Sequence, residues 1–364
     1  MAGPLANHTG DFLVCDCRKR LASGFTLDAR VTLPLTGVTV LFGASGSGKT
    51  TLLRLLAGLE RPDSGSIVFR GRPWESLAPQ QRRAGFLFQD YALFPHLTVA
   101  ENVAYAAPPA TAAGLMEAFG LDDLADRLPH AISGGQQQRT ALARALAAGP
   151  ELLLLDEPLS ALDAPTRLRM RYELRRLLLA GGVPSIVVTH DRMEAVALGD
   201  TLAVMVEGQI RQFGPVREVF QRPVDRQVAE AVGVENVAPA EIIGREGGLL
   251  ILQVGGARLE CVDSGESGSV VACIHAEDVA VTRDSAQVSS ARNRLAGRVL
   301  AVIMEGALAR VELDCGFPLV AVVTAQSAAD LALREGEEVS AVVKATAVHL
   351  AGHFDAAHTR PRVE

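Results

Sequence analysis

Gly37-Val-Thr-Val-Leu-Phe42 runs directly into Gly43-Ala-Ser-Gly-Ser-Gly-Lys49-Thr50, and Thr50-Thr-Leu-Leu-Arg-Leu-Leu-Ala57 follows before Gly58. A short β-branched run, a glycine loop and an apolar-periodic stretch stopped by glycine predict strand, loop and helix in that order. Gly, four residues, then Gly-Lys-[Ser/Thr] is the spacing of a phosphate-cradling loop. In it, the backbone N–H groups of Gly43, Ala44, Ser45, Gly46, Ser47 and Gly48 converge on an anion, and the helix adds its positive N-terminal end. Lys49 reaches the terminal phosphates, Thr50 offers a hydroxyl to Mg²⁺, and Thr51 completes the candidate set. Lys49 is one of only three lysines, against 32 arginines.

Two more apolar strands extend the pattern. Leu152–Leu155 ends in Asp156-Glu157-Pro158, and Ser185–Thr189 ends at His190. Between them Pro165 to Ala180 reads as a helix, with proline near its start and Gly181-Gly182 closing it. Apolar strands alternating with helices predict an α/β fold with a parallel sheet buried on both faces. Chemistry in such sheets collects at the carboxyl ends of the strands, where Gly43, Asp156 and His190 fall. Asp156 suits a role in orienting Mg²⁺, and Glu157 suits one in acting on an attacking water. Ile132-Ser133-Gly134-Gly135-Gln136 precedes a predicted helix, Gln137–Ala148, and suits either an anion or a plain cap. Gln89, after the apolar Phe86-Leu-Phe, is either functional or part of a turn.

The 364 residues are enough for two domains, and 48% apolar with 21% charged residues is ordinary globular usage. The net charge of −7 excludes a broadly basic nucleic-acid binder. The chain has no run of ~18 apolar residues and no basic-then-apolar leader, so a soluble intracellular protein is expected. Residues 1–235 carry 24 basic and 25 acidic side chains and 236–364 carry 11 and 17, which predicts a boundary near Asn236. The odd set Cys15, Cys17, Cys261, Cys273 and Cys315 reads as small buried hydrophobes. Beyond Asn236, alternating runs such as Leu249–Val254, Val270–Ile274, Arg298–Ile303, Ala309–Leu313 and Val339–Lys344, separated by glycine turns, predict a small all-β sandwich or barrel. No solenoid repeat is evident, and the last dozen residues read as a tail.

In one order the chain carries GASGSGKT at 43–50, Gln89, ISGGQ at 132–136, LLLLDEP at 152–158, SALD at 160–163 and His190. Over residues 1–235 it resembles the nucleotide-binding subunit of an ABC transporter. The resemblance implies a P-loop NTPase fold with a helical subdomain, ATP and Mg²⁺ as ligands, and a head-to-tail homodimer sandwiching two ATP molecules. Each ATP would lie between the P-loop of one subunit and Ser133, Gly134, Gly135 and Gln136 of the other. It further implies Glu157 as general base, Asp156, Thr50 and Gln89 at Mg²⁺, Asp163 bridging the dimer and His190 at the γ-phosphate. Residues 89–133, with Phe94-Pro95-His96, would receive an integral-membrane permease on the cytoplasmic face of a bacterial plasma membrane, with a periplasmic binding protein beyond it. Phe94-Pro95-His96 reads equally as a turn over a buried phenylalanine. Ile132 stands where the family usually has leucine. Phe12 and Phe25 are both imperfectly placed to stack on adenine, so the adenine contact is unassigned, with Phe25 the candidate.

Ser290-Ala-Arg-Asn293 and Lys344-Ala-Thr346 resemble the ends of the molybdate-binding Mop/TOBE type of OB-like domain. That divides the chain into 1–235, a β-rich connecting region 236–289, an oxyanion-binding domain 290–352 and a tail 353–364. The candidate oxyanion contacts are Ser290, Ala291, Arg292, Lys344 and Thr346; a strand-entry turn beside a surface lysine is the plainer reading. His275-Ala276 departs from the family's Arg-Pro, so 236–290 is assigned no ligand. The implied function is the energy-coupling ATPase of a molybdate or tungstate importer. Sulfate, ferric iron, sugar and polyamine importers are the alternatives, and a soluble non-transport ABC ATPase is a remote one.

Overall fold

Every residue of Val38–Phe42, Leu152–Asp156 and Ser185–Thr189 is buried, as strands covered on both faces require. In the computed structural model, which describes residues 11–160, 162–283 and 290–352, these three strands lie side by side and parallel. The full sheet has six strands in the order Gln209–Pro215, Thr201–Val206, Val38–Phe42, Ser185–Thr189, Leu152–Asp156 and Ala84–Leu87. Only the outer hairpin of Thr201–Val206 and Gln209–Pro215 is antiparallel. The carboxyl ends of four parallel strands therefore share one edge, immediately before Gly43, His190, Glu157 and Phe88-Gln89. The predicted helix is present as Ala164–Gly181, with Asp163 as N-cap and Gly182 as C-cap.

A second sheet is antiparallel: Thr26–Pro34, Phe12–Arg20, Ser64–Phe69 and Arg72–Pro73. Its inward side chains Leu13, Cys15, Cys17, Leu27, Ala29 and Ile67 join the P-loop helix Lys49–Ala57 in one core. All five cysteines are buried free thiols. The first unit closes at Val219 and the second opens at Phe220.

The second unit contains two five-stranded antiparallel sheets. One runs Ala257–Val262, Leu249–Val254, Asn236–Glu246, Ser269–Ile274, His349–Ala351; the other runs Ala280–Thr282, Glu338–Val343, Asn293–Glu305, Leu308–Asp314, Pro318–Thr324. Each sheet borrows its last short strand from the other half of the sequence, so 236–289 and 290–352 interlock around a shared core. The halves are copies of one plan. Each opens on a buried asparagine, breaks register six residues later (after Ile242, after Val299), and ends in a 3₁₀ turn before its exchanged strand. The asparagines work in parallel. Asn236 accepts from Val320 N–H at 2.6 Å and donates to Val320 O at 2.9 Å, and Asn293 does the same to Glu260 at 2.5 and 2.9 Å. This internal pairing is not a solenoid and has no fixed-period motif, so sequence inspection passes over it.

One buried charge fixes the P-loop helix. Arg82 is 1% exposed, its Nη1 donates to the carbonyls of Leu55 (2.5 Å) and Leu56 (2.9 Å), and its Nε donates to Leu77 O at 3.2 Å. The guanidinium thus satisfies the carbonyls that end Lys49–Ala57. A Cβ on Gly58 would come within 2.7 Å of Arg82 Nε, so glycine is needed there for space as well as for its φ of +79°. Arg82→Met would keep the apolar stem but orphan these acceptors in the core. We expect it to lower stability by about 2–4 kcal/mol, read from the urea midpoint; a loss under about 1 kcal/mol would mean that solvent replaces the guanidinium.

Candidate functional site

Gly43 leaves its strand at φ +156°, and Gly46 and Gly48 follow at +82° and +104°. A Cβ at Gly43 would lie 2.2 Å from the Met205 carbonyl, so the loop can sit on the sheet edge only without a side chain there. The helix begins at Lys49, one residue earlier than the sequence reading placed it. Lys49, 4% exposed, folds back so that Nζ donates to Gly43 O and Ala44 O, both at 2.8 Å. Burial pulls its ammonium below the ordinary lysine value, opposed by the carboxylates of Glu157 and Asp156. The Ser47 hydroxyl is buried, with no partner among the described residues.

Thr50 Oγ1 donates to Asp156 Oδ1 at 3.0 Å. Burial pushes the Asp156 carboxyl above its ordinary value, against the effect of the Thr50 hydrogen bond. Glu157, next in the chain, has φ +44°, and its Oε1 lies 3.1 Å from His190 Nδ1. A cavity of about 360 Å³ opens over the loop, with Leu21, Ser23, Phe25, Lys49, Thr50 and Glu157 in its wall. Ser45, Gly46, Gly48 and Thr51 also line it. Phe25, rather than Phe12, thus sits at the cavity, with its ring where a Gly48 Cβ would meet it at 3.2 Å. Leu21 and Ser23, in the turn between the first two strands, carried no motif and were missed.

These residues fit a nucleoside triphosphate and its metal. The unpartnered Ser47 hydroxyl, the buried ammonium and the helix N-terminus call for a multiply charged anion. A threonine hydroxyl beside a desolvated carboxylate is the hard-oxygen pair that suits Mg²⁺.

Behind Glu157, a smaller cavity of about 90 Å³ has Ser160, Arg167, Thr189, His190 and Glu194 in its wall. Thr189 Oγ1 donates to buried Glu194 at 2.7 Å and accepts from Asp191 N at 3.0 Å, clamping the backbone on both sides of His190. Burial pushes the Glu194 carboxyl above its ordinary value. Neither Thr189 nor Glu194 stood out in sequence, because each reads as strand end and helix start.

The other predicted residues lie away from the larger cavity. Gln89 is exposed, in a turn closed by Tyr91 N–H onto Phe88 O at 2.9 Å. Ser133 is the N-cap of a helix that spans Gly134–Ala147, three residues earlier than the predicted start at Gln137. Ser133 N donates to Gln136 Oε1 at 2.8 Å and Gln136 N to Ser133 Oγ at 3.4 Å, a reciprocal cap that lets two glycines open a helix. Gly134 and Gly135 face Leu162 and Met170. None of Ser133, Gly134, Gly135 or Gln136 lines the larger cavity. Asp163 accepts from Thr166 N at 3.3 Å, and hydrogen bonds from Thr166 hold its carboxyl below the ordinary value. Ala161, within the SALD segment, lies outside the described residues, as do 284–289 and the expected tail 353–364. Phe94 is half-buried, while Pro95 and His96 are exposed.

In the second unit, Asn293 pairs with Val343 in antiparallel register, which brings Arg292 and Lys344 to neighbouring positions at one sheet end. Ser290, Arg292, Lys344 and Thr346 are exposed and Ala291 is half-buried. Arg292 Nε lies 3.7 Å from Glu260. The equivalent positions of the first copy are Glu235 and His275, where Glu235 Oε2 accepts from Ala276 N at 3.1 Å. That copy therefore presents a carboxylate where the second presents two cations. Among the described residues there is no cluster of three metal-ligating side chains and no helix long and apolar enough to cross a membrane.

The family model described as ABC transporter matches residues 27–160, and the TOBE domain model matches 289–350. The chain is 40% identical over 321 residues to the molybdate/tungstate import ATP-binding protein of Pyrococcus horikoshii, covering 85% of this chain and 91% of that protein. It is 43% identical over 319 residues to the sulfate/thiosulfate import ATP-binding protein of Chromobacterium violaceum, covering 85% and 84%. The spermidine/putrescine import ATP-binding protein of Ruegeria pomeroyi is 47% identical over 227 residues, 60% of this chain and 62% of that protein. A phosphate loop, a Thr50–Asp156 pair and Glu157 at one sheet edge, in a chain that covers 91% and 84% of two import subunits, place it in the ABC transporter family as the ATP-binding subunit of an importer, an ATPase with a C-terminal TOBE domain.

Proposed function

We propose that this ATPase drives import of molybdate or tungstate, and that its nucleotide site is half of a composite site completed by a second copy of the chain. The observation that carries the composite reading is the cavity over the P-loop, whose wall lacks Ser133–Gln136. A second subunit in head-to-tail arrangement supplies those N–H groups and the Ser133 cap. Import subunits of this family work with membrane permeases; the permease docks here on the exposed Pro95-His96 face, holding the chain at the cytoplasmic side of the membrane, and a periplasmic binding protein delivers the cargo.

Within the site, Lys49 and the loop N–H groups bind the β- and γ-phosphates and Phe25 borders the base. Thr50 and Asp156 would hold Mg²⁺, which neutralises charge on the leaving phosphates when bound. Glu157 is within reach to accept the proton of the attacking water. His190 sits 3.1 Å from that carboxylate and orients it. Asp163 caps its helix at the edge facing the second copy.

Molybdate as cargo is supported by the match to the Pyrococcus protein and by adjacent Arg292 and Lys344 at the head of residues 290–352. Ser290, the Ala291 backbone and Thr346 add directed donors. Because 236–364 carries net −6, an anion held there depends on such short-range donors rather than on the mean field. Sulfate is the second reading, supported by the Chromobacterium relative.

Glu157→Gln in the full chain should bind ATP normally yet turn over about 10²–10⁴ times more slowly; near-normal hydrolysis would remove Glu157 as the base. Lys49→Ala should instead lose nucleotide binding itself. Titration calorimetry of the full chain with molybdate and with sulfate addresses the cargo. Molybdate binding that Lys344→Ala abolishes is expected, and equal binding of both anions, or of neither, would contradict the molybdate reading.

A further inference from the structure

Three residues at the catalytic edge carry side chains at left-handed φ: Glu157 (+44°), Tyr91 (+61°) and Ala92 (+42°). Such conformations are costly for L-residues and persist where surrounding contacts over-determine them. The contacts are specific. Arg144, on the helix capped by Ser133, donates through Nη2 to Tyr91 O at 3.0 Å and through Nη1 to Ala92 O at 2.8 Å. Its guanidinium also lies 5.0 Å from the Phe94 ring centroid and reaches Asn102 Oδ1 at 3.4 Å. Asn102, fully buried, ties the same segment by donating to the carbonyls of Phe94, Leu97 and Thr98.

Tyr91 points the other way. Its ring is buried, burial pushes the phenol up to about 12, and it remains a neutral donor. Its hydroxyl donates to Pro158 O at 3.3 Å, on the residue after Glu157. Glu157 itself is held by Val188 O on its N–H and by Ser160 on its carbonyl. Tyr91 adds a restraint from a different segment.

We propose that Tyr91 and Arg144 are positioning residues for hydrolysis: Arg144 holds the Tyr91–Ala92 turn, and the Tyr91 hydroxyl holds the backbone that carries Glu157. The helix behind Ser133, the Phe94–Leu97 segment and the catalytic carboxylate are thereby joined by a route that does not pass through the Gln89 side chain. This inference rests on Glu157 acting as the base.

Tyr91→Phe removes one hydroxyl and keeps the buried ring. In the full chain we expect kcat to fall about five- to tenfold with KM for ATP within twofold and an unchanged melting temperature. Arg144→Lys keeps the charge but replaces two separate guanidinium nitrogens, one on each carbonyl, by a single ammonium on a shorter stem; it should fall likewise and add little to Tyr91→Phe. In single-turnover reactions, Tyr91→Phe should slow a Glu157→Gln chain by less than twofold, since the carboxylate it positions is gone. A Tyr91→Phe kcat within twofold of the parent would overturn the proposal, as would the same fractional loss in both backgrounds. If Glu157→Gln is slow and Tyr91→Phe is not, the positioning role alone fails; if Glu157→Gln is near normal, the base assignment fails and this route with it.

Discussion

A lysine ammonium folded onto two carbonyls of its own loop is the interaction on which the rest of the site depends. Lys49 is buried, its nearest hydrogen-bond partners are Gly43 O and Ala44 O, and carbonyl dipoles only partly replace lost water around a full charge. The backbone is shaped to allow this: Gly43 has no room for a Cβ against Met205, and Arg82 anchors the far end of the helix that Lys49 begins. The parallel sheet then brings Asp156, Glu157 and His190 to the same edge. A buried cation, a helix N-terminus and a Ser47 hydroxyl without a partner among the described residues together suit a polyphosphate.

Much of this was legible because it is local. Strand, glycine loop and helix follow one another in twenty residues, and the apolar runs Leu152–Leu155 and Ser185–Thr189 stop at Asp156 and His190. Signals spread across distant segments were harder. Phe12–Arg20 ends in Arg18-Lys19-Arg20, which hides the alternation of Leu13, Cys15 and Cys17 that buries one face. The helix start at Gly134 was masked by two glycines of poor propensity, although the Ser133–Gln136 cap was readable. In the second unit the strands Ala280–Thr282 and His349–Ala351 are three residues each, too short to carry a pattern, and only their pairing across the halves defines them. Arg144 and Tyr91 read as helix and loop residues until the structure joined them.

The two units manage charge differently. In the first, carboxylates and the ammonium are desolvated together, so each is poised for a ligand. In the second, Glu260 faces Arg292 and the first repeat replaces cations by Glu235 and His275, so the acidity seen in composition is built into the scaffold around the candidate anion position. Left-handed Glu157, Tyr91 and Ala92 each cost roughly 1–3 kcal/mol, which concentrates backbone strain at this edge of the sheet.

Cross-linking between two chains tests the composite site most directly. Ser45 and Ser133 are both exposed and all five native cysteines are buried, so Ser45→Cys and Ser133→Cys chains, each also carrying Glu157→Gln, can be mixed and treated with a short bis-thiol reagent. A covalent dimer that forms with ATP and Mg²⁺, and not without them, is the predicted result. No cross-link between the mixed chains in saturating ATP would contradict a site shared between two copies.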